Sequence, residues 1–441
     1  MYSSIIEEEL RKKGISVGDE VKIDKEGKAY SGTLMPRIGL GDQTSLVIKL
    51  KSGYNVGIAF EKRTGITLVG KGKRPAHGEK KGAEGTARGK ISILGCGGTI
   101  ASKVEYRTGA VFPAFSPEEI LSSFPSLKEL AEIRGKFLFS ILSEDMTSAH
   151  WQIIANSVAE EINDGANGVV LMHGTDTMGY TGAALSFMLQ NLPVPVVLVG
   201  AQRSSDRGSS DNEMNLFCSV LAAKSDIAHV GVCMHADMGD LSCYLHNGTK
   251  VRKMHTSRRD AFQSINALPL ARIYYNEKTV EPLVEKYNKR DEKRKLLLNT
   301  KMNGNVALIW IHPGIKPSFM ESLSSYDGIV LAGTGLGHVP SNPFNDKHAK
   351  SIIPSLKGLV ERGIAVAIAP QTIYGRIDTD VYTAGRMLNE IGVIGNHCDW
   401  LPETAFVKLM FALGQTKDQK KVREIMLADI AGEISKRSVV L

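Results

Sequence analysis

The first stretch that could carry out chemistry is an apolar run that ends in a hydroxyl-bearing residue. Residues 91–94 read ISIL, are followed by a glycine-rich turn, and lead to Thr99. Glycines let the backbone turn sharply and approach a ligand closely. Such a turn would present the Thr99 hydroxyl at the carboxyl edge of a sheet, where open α/β folds place their sites. Taken alone, the stretch is equally compatible with an ordinary strand-to-helix turn.

Further polar residues follow two other apolar runs. The run at 137–142 leads into Ser143 and Glu144, and the run at 168–173 leads into Thr175 and Asp176. Lys253 lies further along the chain. A hydroxyl in such a site can face a substrate while the carboxylate orients an amine or a base. A lysine nearby can lower the pKa of a neighbouring hydroxyl. These residue types could therefore provide a hydroxyl, a carboxylate and an ammonium group to one site.

The elements that must position these residues alternate between strand-like and helical patterns from Lys90 onward. This alternation predicts an α/β fold of two lobes, each with a mostly parallel sheet. Strands are expected at 91–94, 137–142, 168–173, 195–200, 230–235, 306–311, 328–333 and 365–370. Helices are expected at 117–131, 148–164, 178–191, 212–225, 343–362, 381–390 and 402–413, with Thr147 or Ser148 capping the second of them.

The first seventy residues have a different pattern. After a short amphipathic helix at 5–13, five short alternating segments separated by turn residues predict a small SH3-like β-barrel. The expected organisation is a barrel domain at 1–70, a flexible linker at 71–90, a large α/β domain at 91–275, a charged connection at 276–304 and a small α/β domain at 305–441.

Charge and composition limit the class of protein. The formal net charge of +7 lies entirely within residues 1–90, which hold 18 basic and 11 acidic residues. This excess is compatible with contact to RNA or with a solvated surface.

No apolar run is long enough for a membrane span, and the start is unlike a secretion signal. The 5 cysteines are scattered without CxxC spacing, which predicts a cytoplasmic protein without disulfides or a metal site.

Several motifs together resemble the bacterial-type L-asparaginases and glutaminases. The two threonine motifs of that family appear as CGGTIA at 96–101 and HGTDTM at 173–178. The serine motif appears as SEDM at 143–146, the lysine as Lys253, and QTKD at 415–418 is also similar. The resemblance covers about 90–441. The family usually has threonine where this chain has Cys96, and we expect Cys96 to be a small packing residue rather than a rival nucleophile.

The resemblance implies a mechanism and a set of site residues. Thr99 would attack the side-chain amide carbon of glutamine or asparagine, and Tyr106 would help to activate its hydroxyl. Thr175, Asp176 and Lys253 would position or activate the hydrolytic water. Ser143, Glu144 and Asp176 would hold the α-carboxylate and α-amino groups of the substrate. Backbone N–H groups near Gly98 and Thr175 would form the oxyanion site, and this chain would bind no cofactor or metal.

Three further strings are GDEVKI at 18–23, YSGTLMPR at 30–37 and YRTGAVFPAFSPEE at 106–119. With these strings, the basic segment and the asparaginase-like body together resemble a narrower family, the D subunits of archaeal glutamyl-tRNA(Gln) amidotransferases. That resemblance implies a glutaminase that supplies ammonia to an E subunit, which uses ATP and Mg²⁺ to amidate Glu-tRNA(Gln). It also implies a homodimer within a heterotetramer of two D and two E chains, with tRNA bound mainly by the partner. Two other hypotheses remain open: a free-standing cytoplasmic asparaginase or glutaminase with an appended barrel, and a non-catalytic binding protein.

Overall fold

The structure is a computed structural model of the chain. It describes residues 2–35, 44–50, 55–61, 63–71, 89–97, 102–104, 111–113, 124–203 and 210–439.

The N-terminal part is a five-stranded antiparallel sheet with one helix. Its elements are α1 (Ser4–Lys12), β1 (Glu20–Lys25), β2 (Lys28–Leu34), β3 (Ser45–Leu50), β4 (Asn55–Ala59) and β5 (Gly65–Gly70). The strand order is β4-β3-β2-β1-β5, and Ile6 and Leu10 of α1 pack with Val21 and Ile23 in a core of their own. The predicted helix and five strands are confirmed. Closure of this sheet into an SH3-like barrel stays a prediction.

The remaining strands and helices alternate over most of the chain. The strands are β6 (Lys90–Gly97), β7 (Ser102–Val104), β8 (Val111–Pro113), β9 (Glu132–Ile141), β10 (Gly168–Met172), β11 (Leu189–Gln190), β12 (Val196–Val199), β13 (Val230–His235), β14 (Ser242–Asn247), β15 (Val251–Lys253), β16 (Phe262–Ser264), β17 (Ala271–Tyr274), β18 (Thr279–Pro282), β19 (Leu297–Leu298), β20 (Val306–Trp310), β21 (Gly328–Gly333) and β22 (Ala365–Pro370). The helices are α2 (Ser148–Asn163), α3 (Met178–Met188), α4 (Asn212–Lys224), α5 (Pro317–Ser322), α6 (Ile353–Glu361), α7 (Thr383–Glu390), α8 (Pro402–Gln415) and α9 (Gln419–Leu427).

The large sheet has eight strands in the order β18-β17-β14-β13-β12-β10-β6-β9. Five neighbouring strands, β13, β12, β10, β6 and β9, are parallel to one another. The other three, β14, β17 and β18, pair in antiparallel fashion, so the sheet is mixed. In β10, Val169 and Leu171 pack on the core that contains α2 and α3, and Val170 and Met172 pack on the core that contains α4. Burial on both faces is typical of parallel strands, and it explains the continuous apolar run in the sequence.

A second, three-stranded parallel sheet, β20-β21-β22, forms the core of the smaller lobe. Helix α8 packs between this sheet and α3 of the larger lobe, where the rings of Phe187 and Phe411 stack at 6.0 Å. The α/β architecture with a larger and a smaller sheet therefore agrees with the sequence prediction. Among the helices of the described ranges, none is long and apolar enough to cross a membrane.

Two predicted helices differ from the structure. The described part of the first, 117–131, contains only a 3₁₀ turn at Pro125–Glu129, and β9 begins at Glu132 instead of near 137. In the first half of β9 the exposed polar residues Glu132, Arg134 and Lys136 alternate with less exposed residues, so a search for continuous apolar runs does not find this part of the strand. The second helix, expected at 343–362, begins only at Ile353. The side chains of Asn342 and Asp346 bond to neighbouring backbone groups and stabilise turns before it.

Buried charges hold the C-terminal segment against both lobes. Lys408 Nζ lies 2.5 Å from Glu433 Oε1, and Lys250 Nζ lies 3.0 Å from Asp399 Oδ1; all four side chains are buried. Burial lowers the pKa of both lysines, and the carboxylate partners oppose this shift. Asp399 also accepts a hydrogen bond from the Ser435 N–H. The segment after α9 is therefore fixed by groups that cannot lose their partners without leaving a buried charge.

We expect Glu433→Gln to destabilise the protein strongly because it leaves the Lys408 ammonium buried without a counter-charge. The expected loss is about 3–5 kcal/mol of unfolding free energy, measured by urea denaturation. The control is Glu361→Gln, which removes the carboxylate of the exposed pair Lys357–Glu361 and should cost less than about 1 kcal/mol. Equal effects of the two substitutions would contradict the assignment of the buried pair as the anchor of the C-terminal segment.

Candidate active site

The candidate site lies where the carboxyl ends of β6, β9 and β10 meet. Strand β6 pairs in parallel with both neighbours, so all three chains leave the sheet at the same edge. Gly97, the last residue of β6, has a φ of 91°, and a Cβ built on it would lie 2.4 Å from the carbonyl oxygen of Ile141. Only glycine fits at this position. The chain that leads towards Thr99 therefore runs directly against the chain that leads to Ser143.

The turn after β10 contacts Ser143 closely. A Cβ built on Gly174 would lie 2.7 Å from Ser143 Cβ and 2.9 Å from its Oγ. The Thr177 hydroxyl donates a hydrogen bond of 2.6 Å to the carbonyl oxygen of Ser143. These contacts hold the serine turn and the threonine turn together, so that Ser143 and Thr175 lie at one edge of the sheet.

Lys253 connects the two polar residues of the threonine turn. Its Nζ donates hydrogen bonds to Thr175 Oγ1 at 2.9 Å and to Asp176 Oδ1 at 2.7 Å. The lysine side chain is 14% exposed, whereas the Asp176 side chain is 65% exposed. The ammonium group is therefore largely enclosed and the carboxylate faces outward. This arrangement can orient a hydroxyl or a water molecule and leaves a carboxylate oxygen for a cationic group of a ligand.

The strand that carries Lys253, β15, is also held by an ion pair of the preceding residue, Arg252. Arg252 Nη1 lies 3.1 Å from Glu403 Oε1 at the start of α8. Tyr180 lies near this ion pair. Burial and, to a smaller extent, the Glu403 carboxylate raise the pKa of Tyr180 to about 12, so its side chain stays a neutral phenol. The position of Lys253 thus depends on an ion pair between the hairpin β15–β16 and the smaller lobe.

Cys96 is part of the core and does not face the site. Its side chain is 1% exposed and packs with residues that include Leu94 and Trp151. Burial raises the pKa of its thiol well above the usual range, which removes the thiolate that a nucleophilic cysteine needs. The structure agrees with the expected packing role of Cys96.

The structure brings together part of the predicted set. Thr175, Asp176 and Lys253 contact one another, and Ser143 lies against the same turn. Glu144 is exposed on a 3₁₀ turn at Ser143–Asp145, and its side chain makes no hydrogen bond to the described residues. Thr99, Gly98 and Tyr106 lie outside the described residues.

Sequence reasoning missed residues that shape the site without reacting. Thr177 holds the Ser143 turn, as described above. A Cβ built on Gly200 would lie 2.7 Å from Thr175 Cγ2 and 2.8 Å from the His173 carbonyl oxygen, so β12 ends in a glycine that makes room for the threonine turn. In the sequence, these two residues were marked only by their positions: Thr177 lies inside the second threonine motif, and Gly200 ends the apolar run at 195–200.

One group of the described residues has metal-ligand character. Ligand atoms of Asp378, Asp380 and His397 lie within 4.8 Å of one another. The Asp380 carboxylate already accepts hydrogen bonds from Asn389 and Asn396, at 3.0 and 2.9 Å. This is a hydrogen-bonded surface cluster, and the absence of a metal from the mechanism stays a prediction.

Comparison with known families identifies three regions of the chain. Residues 90–285 match the model of the asparaginase N-terminal domain, and residues 305–426 match the glutaminase/asparaginase C-terminal domain. Residues 15–69 match the GatD N-terminal domain.

Solved asparaginases share the fold of the body of the chain. The thermostable L-asparaginase from Thermococcus kodakarensis is 31% identical, with a TM-score of 0.70, over 78% of this chain and 99% of that one. L-asparaginase I from Vibrio cholerae is 30% identical, with a TM-score of 0.67, over 79% and 100%. The two α/β lobes therefore have the asparaginase-like fold, in which the sheet of the larger lobe is mixed.

Relatives that match nearly the whole chain share one name. The D subunit of the glutamyl-tRNA(Gln) amidotransferase from Pyrococcus furiosus is 49% identical over 98% of this chain and 97% of its own length. The protein of the same name from Methanobrevibacter smithii is 45% identical over 100% and 98%. The chain therefore belongs to the asparaginase family and, within it, to the family of glutamyl-tRNA(Gln) amidotransferase D subunits.

Proposed function

We propose that this chain is the glutaminase subunit of a tRNA-dependent amidotransferase. The observation that carries the proposal is the contact of Lys253 with both Thr175 and Asp176, in a chain that belongs to this family. The three side chains form a polar group at the carboxyl edge of the sheet, where β6 also ends, at Gly97. Retention of all of them argues against a non-catalytic binding protein.

The proposed reaction has two halves. The Thr99 Oγ attacks the side-chain amide carbon of glutamine, the C–N bond breaks, and ammonia leaves with the transferred proton. Tyr106 helps to accept the proton from Thr99. Water then attacks the resulting ester, releasing glutamate and restoring the Thr99 hydroxyl. Lys253, Thr175 and Asp176 orient that water, because the Lys253 ammonium already holds both oxygen-bearing side chains.

The same edge offers groups for the rest of the substrate. The exposed Asp176 carboxylate suits the α-ammonium group of an amino acid. We assign the α-carboxylate and α-amino contacts to Ser143, Glu144 and Asp176, of which Ser143 already lies against the threonine turn. The N–H groups near Gly98 and Thr175 stabilise the oxyanion that forms on the amide oxygen.

Coverage favours the amidotransferase over a free-standing asparaginase. The solved asparaginases cover 78–79% of the chain, whereas the full-length relatives cover 98–100%. The N-terminal domain, for which we propose an SH3-like barrel at 1–70 followed by a linker at 71–90, is thus shared with the amidotransferase proteins. Its order, with β1 between β2 and β5, supports that proposal. We further propose a large α/β domain at 91–275, a connection at 276–304 and a small domain at 305–441; the connection is not wholly irregular, because its strand β18 pairs with β17 and forms an edge of the large sheet.

The name of the full-length relatives implies a partner subunit, and we propose the identity of that partner and the composition of the assembly. A cytoplasmic heterotetramer of two D and two E chains would contain this chain as a homodimer. The E subunit would bind Glu-tRNA(Gln) and use ATP and Mg²⁺ to convert it with the ammonia released here, and this chain would need no cofactor.

The first test concerns the nucleophile. Thr99→Ala should reduce ammonia release from glutamine to background, because it removes the hydroxyl that forms the ester. Lys253→Met should lower kcat roughly 100-fold or more through loss of the oriented water. Cys96→Ala is the control, since the buried thiol takes no part, and it should retain most of the activity. Loss of activity in Cys96→Ala with a normal melting temperature, or turnover by Thr99→Ala, would place the nucleophile elsewhere.

The second test concerns the partner. The full chain is co-expressed with the candidate E subunit, and the mass of the purified complex is measured together with ammonia release with and without Glu-tRNA(Gln). We expect a stable complex whose glutaminase rate rises when the misacylated tRNA is added. Deletion of residues 1–85 should weaken assembly or this activation. Full-rate asparagine hydrolysis by the isolated chain, unaffected by the partner, would support the free-standing enzyme instead.

A further inference from the structure

A chain of three buried side chains ends on the backbone of the threonine turn. Trp151 Nε1 donates a hydrogen bond of 3.0 Å to Thr181 Oγ1. Thr181 Oγ1 lies 2.9 Å from His173 Nε2, and His173 Nδ1 lies 2.6 Å from the carbonyl oxygen of Gly174. Trp151, Thr181 and His173 are 4%, 0% and 1% exposed, so no bulk water competes for these groups.

The chemistry of the two ends fixes the direction of every bond. The indole N–H of Trp151 is only a donor, so the Thr181 oxygen accepts from it. The Gly174 carbonyl is only an acceptor, so His173 Nδ1 carries a proton and donates. A neutral imidazole then has an acceptor at Nε2, which receives the Thr181 hydroxyl proton. Burial lowers the pKa of His173 to about 4, so the ring is neutral at ordinary pH. The protonated atom is therefore Nδ1.

The Gly174 carbonyl belongs to the same peptide unit as the Thr175 N–H. In a trans peptide these two groups point in opposite directions. Because the buried His173 ring holds the carbonyl, the N–H of the same peptide must point the opposite way, away from that ring. Among the residues that the structure describes, no group accepts a hydrogen bond from this N–H. Within the described part of the chain, the turn thus presents an unpaired backbone donor in a fixed direction.

We propose that His173 is a positioning residue that aims the Thr175 N–H at the amide oxygen of the substrate, with Thr181 and Trp151 fixing the ring. The inference rests on the proposed glutaminase function and deepens it. A peptide held at its carbonyl cannot rotate away as negative charge develops on the substrate oxygen. The donor is therefore in place before the reaction and needs no reorganisation in the transition state.

The position of the histidine explains why a merely space-filling side chain would not serve. The Gly174 peptide lies against Ser143 and has no side chain of its own to restrain it. The His173 N–H already bonds to the Val199 carbonyl oxygen at 2.9 Å, which fixes the end of β10 but not the next peptide. The ring supplies the missing restraint one residue further along the turn.

The kinetic test uses the full-length protein and matched pairs of variants. Thr181→Val removes the donor to His173 while keeping the shape, and Thr181→Ser restores the hydroxyl. His173→Leu removes both ring nitrogens, and His173→Asn keeps one N–H donor near the position of Nδ1. We expect Thr181→Val and His173→Leu to lower kcat for ammonia release roughly 10- to 100-fold, with KM changed by less than about threefold. Thr181→Ser and His173→Asn should recover part of each loss.

A spectroscopic test examines the same series of hydrogen bonds and does not depend on enzyme activity. In protein labelled with ¹⁵N-histidine, the shifts of His173 should report a neutral ring protonated at Nδ1 at pH values well above about 4, assigned by comparison with His173→Asn. Thr181→Val should alter that signal, and melting temperatures should show that each variant is folded.

The outcomes separate the two proposals. If the wild-type protein releases no ammonia from glutamine or asparagine, the proposed function fails. If the wild type is active but both pairs of variants keep its kcat, or if His173 is protonated at Nε2, the positioning role is overturned. A fall in kcat that the hydroxyl of Thr181→Ser does not reverse would also overturn it, since packing alone would then explain the loss.

Discussion

The arrangement of the site depends on one ammonium group that holds two side chains of a different segment. Lys253 bonds to Thr175 and Asp176. The lysine is on a short hairpin strand, β15, that is outside the large sheet, so the strands of that sheet do not fix it. Its geometry is set instead by what holds the hairpin. The restraints around the hairpin can be understood as a way of keeping Lys253 within hydrogen-bond distance of the threonine turn.

Two charged side chains close to Lys253 in sequence provide that support. Lys250 is buried against Asp399, and Arg252 pairs with Glu403, so the segment before Lys253 is bound to the smaller lobe at two points. Asp399 in turn accepts from a backbone N–H of the C-terminal segment, which extends the network. Buried charge pairs gain little net stability because desolvation offsets their attraction. They do penalise any arrangement that separates the charges. Here that penalty joins the smaller lobe to the part of the larger lobe that carries the site.

The sequence contained much of this site but not its supports. Thr175 and Asp176 could be predicted because they follow a buried apolar run, and Lys253 because its motif resembles that of a family. The antiparallel strands β14, β17 and β18 could not, since they are short and have no crossover helix between them to give an alternating pattern. The role of His173 was equally hidden: a histidine before a glycine is unremarkable until Thr181 and Trp151, from different helices, are seen beside it. Long-range polar contacts leave no local pattern.

The N-terminal domain differs from the site in how it is built. Its core is separate from the cores of the two lobes, and the contacts described for the site involve none of its residues. As far as its described residues go, removing it therefore takes away no group that binds or orients the polar residues around Thr175. The described residues of this domain add nothing to the local chemistry. The full-length relatives match 98–100% of the chain, whereas the solved asparaginases match 78–79% of it. The domain is therefore best explained by the use of the released ammonia. Hydrolysis needs only the edge of the sheet, whereas delivery of ammonia to another protein also needs a surface outside it.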